Sequence, residues 1–173
     1  MKKIYIVLTY TGTILSKIVK MYTRREFSHV SIALDEDLKQ MYSFGRLNAY
    51  IPFIGGFVHE SVDHGTFKRF KKTKTRIYSL QVEDEQFDKI VKVIDNIKNN
   101  KYDYKFNILG LIGVVIHFKL KREKCFYCAE FVKYVLEQSE IVYDLPDLVK
   151  PEDFKEIDNL DVVYTGALRE YNS

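Results

Sequence analysis

The chain has 173 residues, of which 46% are hydrophobic and 29% are charged. This composition is typical of a globular protein and excludes a disordered or collagen-like chain. The length predicts one domain over residues 1–173. The 27 basic and 24 acidic residues leave a net charge of +3, which is too balanced to indicate nucleic acid as a partner. Two cysteines are too few for a disulfide framework, so a reducing compartment is expected.

Hydrophobic periodicity predicts a mixture of strands and helices. Segments that alternate apolar and polar residues, or that are rich in β-branched and aromatic residues, predict strands, and apolar spacings of three or four residues predict helices. In chain order the predictions are a strand at 3–9, a helix at 13–22, strands at 27–34 and 38–44, a loop at 45–56, strands at 57–62 and 75–82, helices at 84–99, 106–118, 128–138 and 152–157, and a strand at 162–165. An acidic turn joins the second and third strands, so we expect an antiparallel hairpin and an α+β fold rather than repeating βαβ units.

The apolar run at 106–118 and two basic runs bear on membrane contact. A spanning helix needs about 20 apolar residues, so the run is either a buried helix or one that touches a membrane surface. The basic runs at 68–76 and 119–124 are either solvated faces or contacts to an anionic membrane surface. The short apolar run at 4–8 lacks a cleavage site. We therefore expect a cytoplasmic protein, with peripheral membrane contact as the alternative.

Cys128 is the candidate nucleophile. It is predicted to begin a helix, where unpaired backbone N–H groups and the helix dipole favour a thiolate and can stabilise an oxyanion. A cysteine hydrolase also needs a base. His29 is the candidate, because only the small Ser31 and Ala33 share its strand face, which leaves room for a helix end. The alternatives are a packed thiol and a structural histidine.

Cys125 and Cys128 also form a C-x-x-C motif. A thioredoxin-like redox pair is expected within an early βαβ unit, which this chain does not show. A zinc site needs about four ligands, and the chain's histidines stand at no zinc-binding spacing. We therefore expect no cofactor and no metal, with Cys125 outside the chemistry.

The segment FSHVSIALD at 27–35, followed much later by FYCAEFV at 126–132, resembles the circularly permuted papain-like hydrolases of the NlpC superfamily. The resemblance is to the branch with the YiiX group and the relatives of lecithin retinol acyltransferase, in which a strand histidine precedes a cysteine at a helix start. It implies a papain-like α+β domain with a small antiparallel sheet packed against helices. Cys128 matches the nucleophile and His29 the general base; a triad is recognised by geometry rather than chain order.

The resemblance also implies a third polar residue, on the strand after the His29 strand, that orients the imidazole. The corresponding position is Ser43, which departs from the family pattern because a hydroxyl brings no charge to stabilise an imidazolium. Ser43 is the preferred third catalytic residue, and Tyr42 and Glu60 are the alternatives.

The activity implied is that of a cysteine peptidase or amidase, a hydrolase in which Cys128 attacks an amide or ester carbonyl and forms an acyl-enzyme. The expected substrate is a peptide, another amide or a lipid. Two alternatives stay open. One is a lipid-directed acyltransferase or deacylase at a membrane surface, and the other is a catalytically inactive binding module of the same fold.

Overall fold

The computed structural model describes residues 1–48, 50–51, 54–107, 123–141 and 143–171. Within them the protein is α+β, as predicted, with a six-stranded antiparallel sheet. The sheet strands are β1 (Lys2–Tyr10), β2 (His29–Ala33), β3 (Met41–Arg46), β4 (Gly55–Glu60), β5 (Lys74–Val82) and β8 (Leu160–Ala167), while β6 (Lys105–Phe106) and β7 (Cys125–Phe126) form a separate parallel pair. The helices are α1 (Ile14–Thr23), α2 (Gly65–Arg69), α3 (Asp84–Asn99) and α4 (Cys128–Gln138), with 3-10 turns at Pro151–Glu156 and Leu168–Glu170.

The sheet has the strand order β4-β3-β2-β1-β5-β8. The predicted hairpin is formed by β2 and β3, in which Ile32 lies opposite Tyr42. The predicted loop at 45–56 is too long, because Gly45 and Gly56 pair with each other in the β3–β4 ladder. The connection therefore shrinks to residues 47–54. The short helix α2 was not predicted, since its sequence has no repeated apolar spacing.

The two faces of the sheet carry separate apolar clusters. On the α3/α4 face, Val30 and Ile32 of β2 belong to the larger cluster, together with Phe131 of α4. On the opposite face, Ala33 belongs to a smaller cluster that includes Phe67 of α2. The two chemically different faces predicted for β2 are thus confirmed, because successive strand residues point to opposite sides.

Two predicted features fall partly outside the described residues. Of the apolar run at 106–118, Phe106 forms part of β6 and residues 108–118 lie outside. Of the basic run at 119–124, residues 119–122 lie outside. None of the helices in the described ranges has both the length and the apolar character needed to cross a membrane.

Candidate active site

The candidate site lies where β2 and α4 begin. His29 is the first residue of β2, and Cys128 is the first residue of α4. Backbone hydrogen bonding fixes the start of β2, because the Ser28 N–H donates to the Thr9 carbonyl at 3.1 Å. The start of α4 is fixed by Glu130, whose Oε2 accepts the Tyr127 N–H at 3.1 Å. Two chain segments that are far apart in sequence therefore present their first side chains at defined positions.

Cys128 and His29 line the same cleft, as predicted. The charge of Cys128 is among the influences that raise the pKa of His29. The alternation of side chains along β2 assigns His29 to the face of the sheet opposite α4. The cleft nevertheless includes residues from both faces, Phe44 from one and Phe67 from the other. His29 and Cys128 can therefore both line it. Cys128 is 6% exposed and the His29 side chain 20% exposed, so both are shielded but accessible from the cleft.

Glu60 is the group that holds the imidazole. Its Oε1 lies 2.9 Å from Nε2 of His29, and its Oε2 accepts a hydrogen bond from the Ser31 hydroxyl. Burial alone would raise the pKa of Glu60, but the charge of His29 and the hydrogen bonds from its neighbours lower the pKa below its usual value. The carboxylate is therefore charged at neutral pH and complements an imidazolium.

The electrostatics of the site favour the protonated form of His29. Burial lowers its pKa, but the charges and hydrogen bonds of Glu60 and Cys128 outweigh burial and raise the pKa to about 10. The arrangement can thus supply a proton donor at neutral pH in the cleft that Cys128 lines, which thiol-dependent acyl transfer requires.

The prediction that Ser43 orients the imidazole is wrong. Ser43 Oγ is buried and has no hydrogen-bond partner of normal geometry among the described residues. Strand β3 lies between β2 and β4, and its residues beside the site are small. A Cβ on Gly45 would lie 3.4 Å from His29 Cε1 and 3.7 Å from Glu60 Oε1. The long side chain of Glu60 can therefore pass over β3 to reach His29 and Ser31.

Tyr42, the other alternative for the third position, lies away from the imidazole. Its ring stacks on His59 with 4.9 Å between the ring centres. His59 is exposed and its Nε2 donates to the Lys39 carbonyl at 2.7 Å, and His64 is also exposed. Neither histidine joins a metal-binding group of three or more ligands within the described ranges.

The two cysteines occupy different places. Cys125 is a buried free thiol in β7 and lines a different pocket from Cys128. Cys128 is also free, so the C-x-x-C motif does not form a disulfide. The nucleophile of the candidate site is thus a single thiol.

The sequence did not predict Ser31 and Arg46 as residues of the candidate site. Its pattern indicates only that Ser31 is a small neighbour of His29, although the Ser31 hydroxyl donates to Glu60. Its position two residues after His29 on the same strand face was the available signal. Arg46 lines the cleft but fell in the predicted loop, so no face could be assigned to it.

The cleft has a mixed lining beside Cys128. Leu15 and Val19 of α1 and Phe106 of β6 give it apolar walls, and Thr11 and Arg46 add polar groups. The lining therefore offers both apolar surface and polar groups next to the thiol.

Comparisons of this chain with family models, curated proteins and solved structures gave no match in any of the three.

Proposed function

We propose that this protein is a papain-like cysteine hydrolase that cleaves an amide or ester through an acyl-enzyme, as its resemblance to the permuted papain-like hydrolases implies. The observation that carries the proposal is the His29–Glu60 pair, with 2.9 Å between Nε2 and Oε1, in the same cleft that Cys128 lines. Thiol-dependent acyl transfer requires a nucleophile, an acid–base group and a group that orients it.

The acylation step uses both nitrogens of the His29 ring. Nε2 is bound to Glu60, which leaves Nδ1 for the thiol. His29 carries the proton before the attack, as its raised pKa favours, and Cys128 attacks the carbonyl carbon as a thiolate. The C–S bond forms while the carbonyl electrons move to oxygen, where N–H groups at the start of α4 can stabilise the negative charge. When the oxyanion collapses, the bond to the leaving group breaks and that group takes the proton from His29.

Deacylation reverses the roles. The now neutral His29 accepts a proton from water, and the hydroxide oxygen adds to the thioester carbonyl. The C–S bond then breaks, and Cys128 leaves as a thiolate beside the imidazolium. Glu60 stays ionised throughout and stabilises each imidazolium that forms. An alcohol or amine in place of water would make the same steps an acyl transfer.

The two cysteines provide a matched test. We expect Cys128→Ala to lower hydrolysis of p-nitrophenyl esters and peptide anilides by about 10³-fold or more, as loss of a nucleophile does in other hydrolases. Cys125→Ala is expected to retain activity, and mass spectrometry is expected to find the acyl group on Cys128. Equal activity of Cys128→Ala and the unaltered protein would exclude the mechanism. Absence of turnover with every substrate would favour the binding module.

The surface of α1 favours a second candidate, a lipid-directed form of the same chemistry at an anionic membrane. This helix lines the cleft with Leu15 and Val19. It also exposes large apolar side chains beside the basic Lys17 and Lys20, namely Ile14 at 79%, Ile18 at 41% and Met21 at 64%. Apolar residues next to lysines are typical of helices that lie in a membrane interface.

Vesicle co-sedimentation distinguishes this second candidate. We expect binding to vesicles of phosphatidylcholine with phosphatidylserine to exceed binding to phosphatidylcholine alone. The double variant Ile14→Ser, Met21→Ser is expected to lose binding. Val162→Ser, which removes an apolar residue that is 62% exposed on β8, should retain it. Negligible binding to both vesicles would remove the membrane candidate and leave the hydrolase proposal intact.

A further inference from the structure

A half-buried arginine shares the cleft with the nucleophile. Arg46 ends β3 and lines the same cleft as Cys128 and His29. Its guanidinium carbon lies 5.5 Å from the centre of the Phe70 ring. Across the part of the chain that the structure describes, no hydrogen bond or ion pair reaches this guanidinium. The carboxylate that acts on it electrostatically, Glu60, is already bound to His29.

A second arginine strengthens the positive potential at this place. The guanidinium carbon of Arg69 lies 5.3 Å from the centre of the same Phe70 ring and 3.8 Å from that of Tyr50. Burial and the charge of Arg69 lower the pKa of Arg46, while Glu60 raises it. The charge of the exposed Arg69 adds to that of the half-buried Arg46, so the potential at this place favours an anion.

We propose that Arg46, supported by the potential of Arg69, binds an anionic group of the substrate while the scissile carbonyl lies against Cys128. This inference rests on the proposed function and deepens it. It names the substrate class as an amide or ester that also carries a carboxylate or a phosphate. A planar guanidinium can donate two parallel hydrogen bonds to two oxygens of either group. Arg46 is thus a specificity-determining residue.

Two alkylating reagents of different charge test the subsite without requiring turnover. Iodoacetate and iodoacetamide both transfer their CH₂ carbon to the Cys128 sulfur with loss of iodide, but only iodoacetate is an anion. We expect Arg46→Gln to lower the ratio of the iodoacetate rate to the iodoacetamide rate by about tenfold at low salt. Arg46→Lys should keep most of the ratio, because it keeps the charge.

Arg76→Gln is the matched control. Arg76 is half-buried on β5 and does not belong to the cleft lining, so the variant makes the same change in net charge at another place. Its ratio should stay within about twofold of the unaltered protein, since screening weakens distant charges. If Arg46→Gln and Arg76→Gln change the ratio equally, or if Arg46→Gln leaves it unchanged in a folded protein, the proposal is wrong.

Separate additions of inorganic phosphate and acetate distinguish the two anion classes. The anion that slows labelling of the unaltered protein by iodoacetamide, but not labelling of Arg46→Gln, identifies the group that the subsite takes. Failure of both anions to protect would also overturn the proposal. If the protein does not hydrolyse any substrate but its ratio of iodoacetate rate to iodoacetamide rate depends on Arg46, the hydrolase proposal is wrong and the anion subsite stands. If the protein is an active hydrolase but this ratio does not change in Arg46→Gln, the subsite is wrong and the hydrolase proposal stands.

Discussion

Two largely shielded carboxylates, Glu152 and Glu60, lie beside the beginning of β2, but their partners differ. Glu152 is 6% exposed, and its Oε1 accepts the backbone N–H of Phe27 at 2.7 Å. Its Oε2 accepts from Lys155 at 3.2 Å. Glu60 instead accepts from the imidazole of His29 and from the Ser31 hydroxyl, and it lines the cleft. One carboxylate holds backbone, whereas the other holds a group that can exchange a proton.

Under the proposed mechanism, this difference separates a structural carboxylate from one that supports an acid–base group. Burial and charge are common to both, and both act within three residues of the same strand end. A backbone amide offers no proton for catalysis, so Glu152 can only fix the path of the chain. Because Glu60 stabilises an imidazolium, it changes the protonation of a side chain that shares the cleft with the proposed nucleophile.

The largest expected effect comes from Glu60→Gln compared with Glu152→Gln. Glu60→Gln removes the charge that raises the His29 pKa, so this pKa should fall from about 10 towards or below its ordinary value. Hydrolysis and Cys128 alkylation at pH 7 should fall about 100-fold. Glu152→Gln should leave the His29 titration unchanged in NMR spectra.

Unfolding in urea supplies the complementary measurement. Glu152→Gln should lower the free energy of unfolding by about 1–3 kcal/mol, because the buried Phe27 N–H loses a charged acceptor. The two roles would not be separable if Glu152→Gln moved the His29 pKa as far as Glu60→Gln does.

The site also shows how far sequence reasoning reaches. Alternation in residues 27–34 and helical spacing in 128–138 predicted the elements that carry His29 and Cys128. Both side chains stand at the first residues of those elements, where a strand end and a helix end can meet. Local periodicity was therefore enough to predict the two elements, whereas the pairing of His29 with Cys128 depended on the resemblance to the permuted papain-like hydrolases.

The identity of the residue that orients the His29 imidazole depends on how β4 packs beside β3, which the periodicity of the sequence does not predict. Glu60 is two strands away from His29 in the sheet, and it reaches the imidazole only because β3 presents Ser43 and Gly45 beneath it. The preference for the adjacent strand selected Ser43 instead. Arg46 was not predicted as a site residue for a related reason. The neighbouring Gly45 indicated a loop, although β3 continues through Gly45 to Arg46.

The pH dependence of the free energy of unfolding tests the ion pair between His29 and Glu60. The His29 pKa is raised from 6.5 to about 10 in the folded protein, so the folded state binds more protons than the unfolded state between these values. The contribution of His29 to stability is complete below pH 6.5 and is lost as the pH rises towards 10.

Urea unfolding at a series of pH values measures this loss. The difference in free energy of unfolding between the unaltered protein and His29→Ala should shrink by roughly 4–5 kcal/mol across that range, because each pKa unit corresponds to about 1.4 kcal/mol. His59→Ala is the control, because His59 contacts a backbone carbonyl and an aromatic ring. A constant difference for His29→Ala across the range would contradict the ion pair with Glu60.

Substitution of the two serines near Glu60 should have the smallest effects on stability and alkylation rate. Comparing the two variants shows which hydroxyl supports the Glu60 carboxylate. Ser31→Ala removes a donor to Glu60 Oε2 and should cost about 1 kcal/mol of stability, with a measurable fall in the His29-dependent alkylation rate. Ser43→Ala removes a buried hydroxyl that has no normal hydrogen bond within the described residues, so stability should stay the same or rise slightly. Thermal unfolding and alkylation of both variants provide the measurement. A larger loss of alkylation rate in Ser43→Ala than in Ser31→Ala would return the orienting role to Ser43.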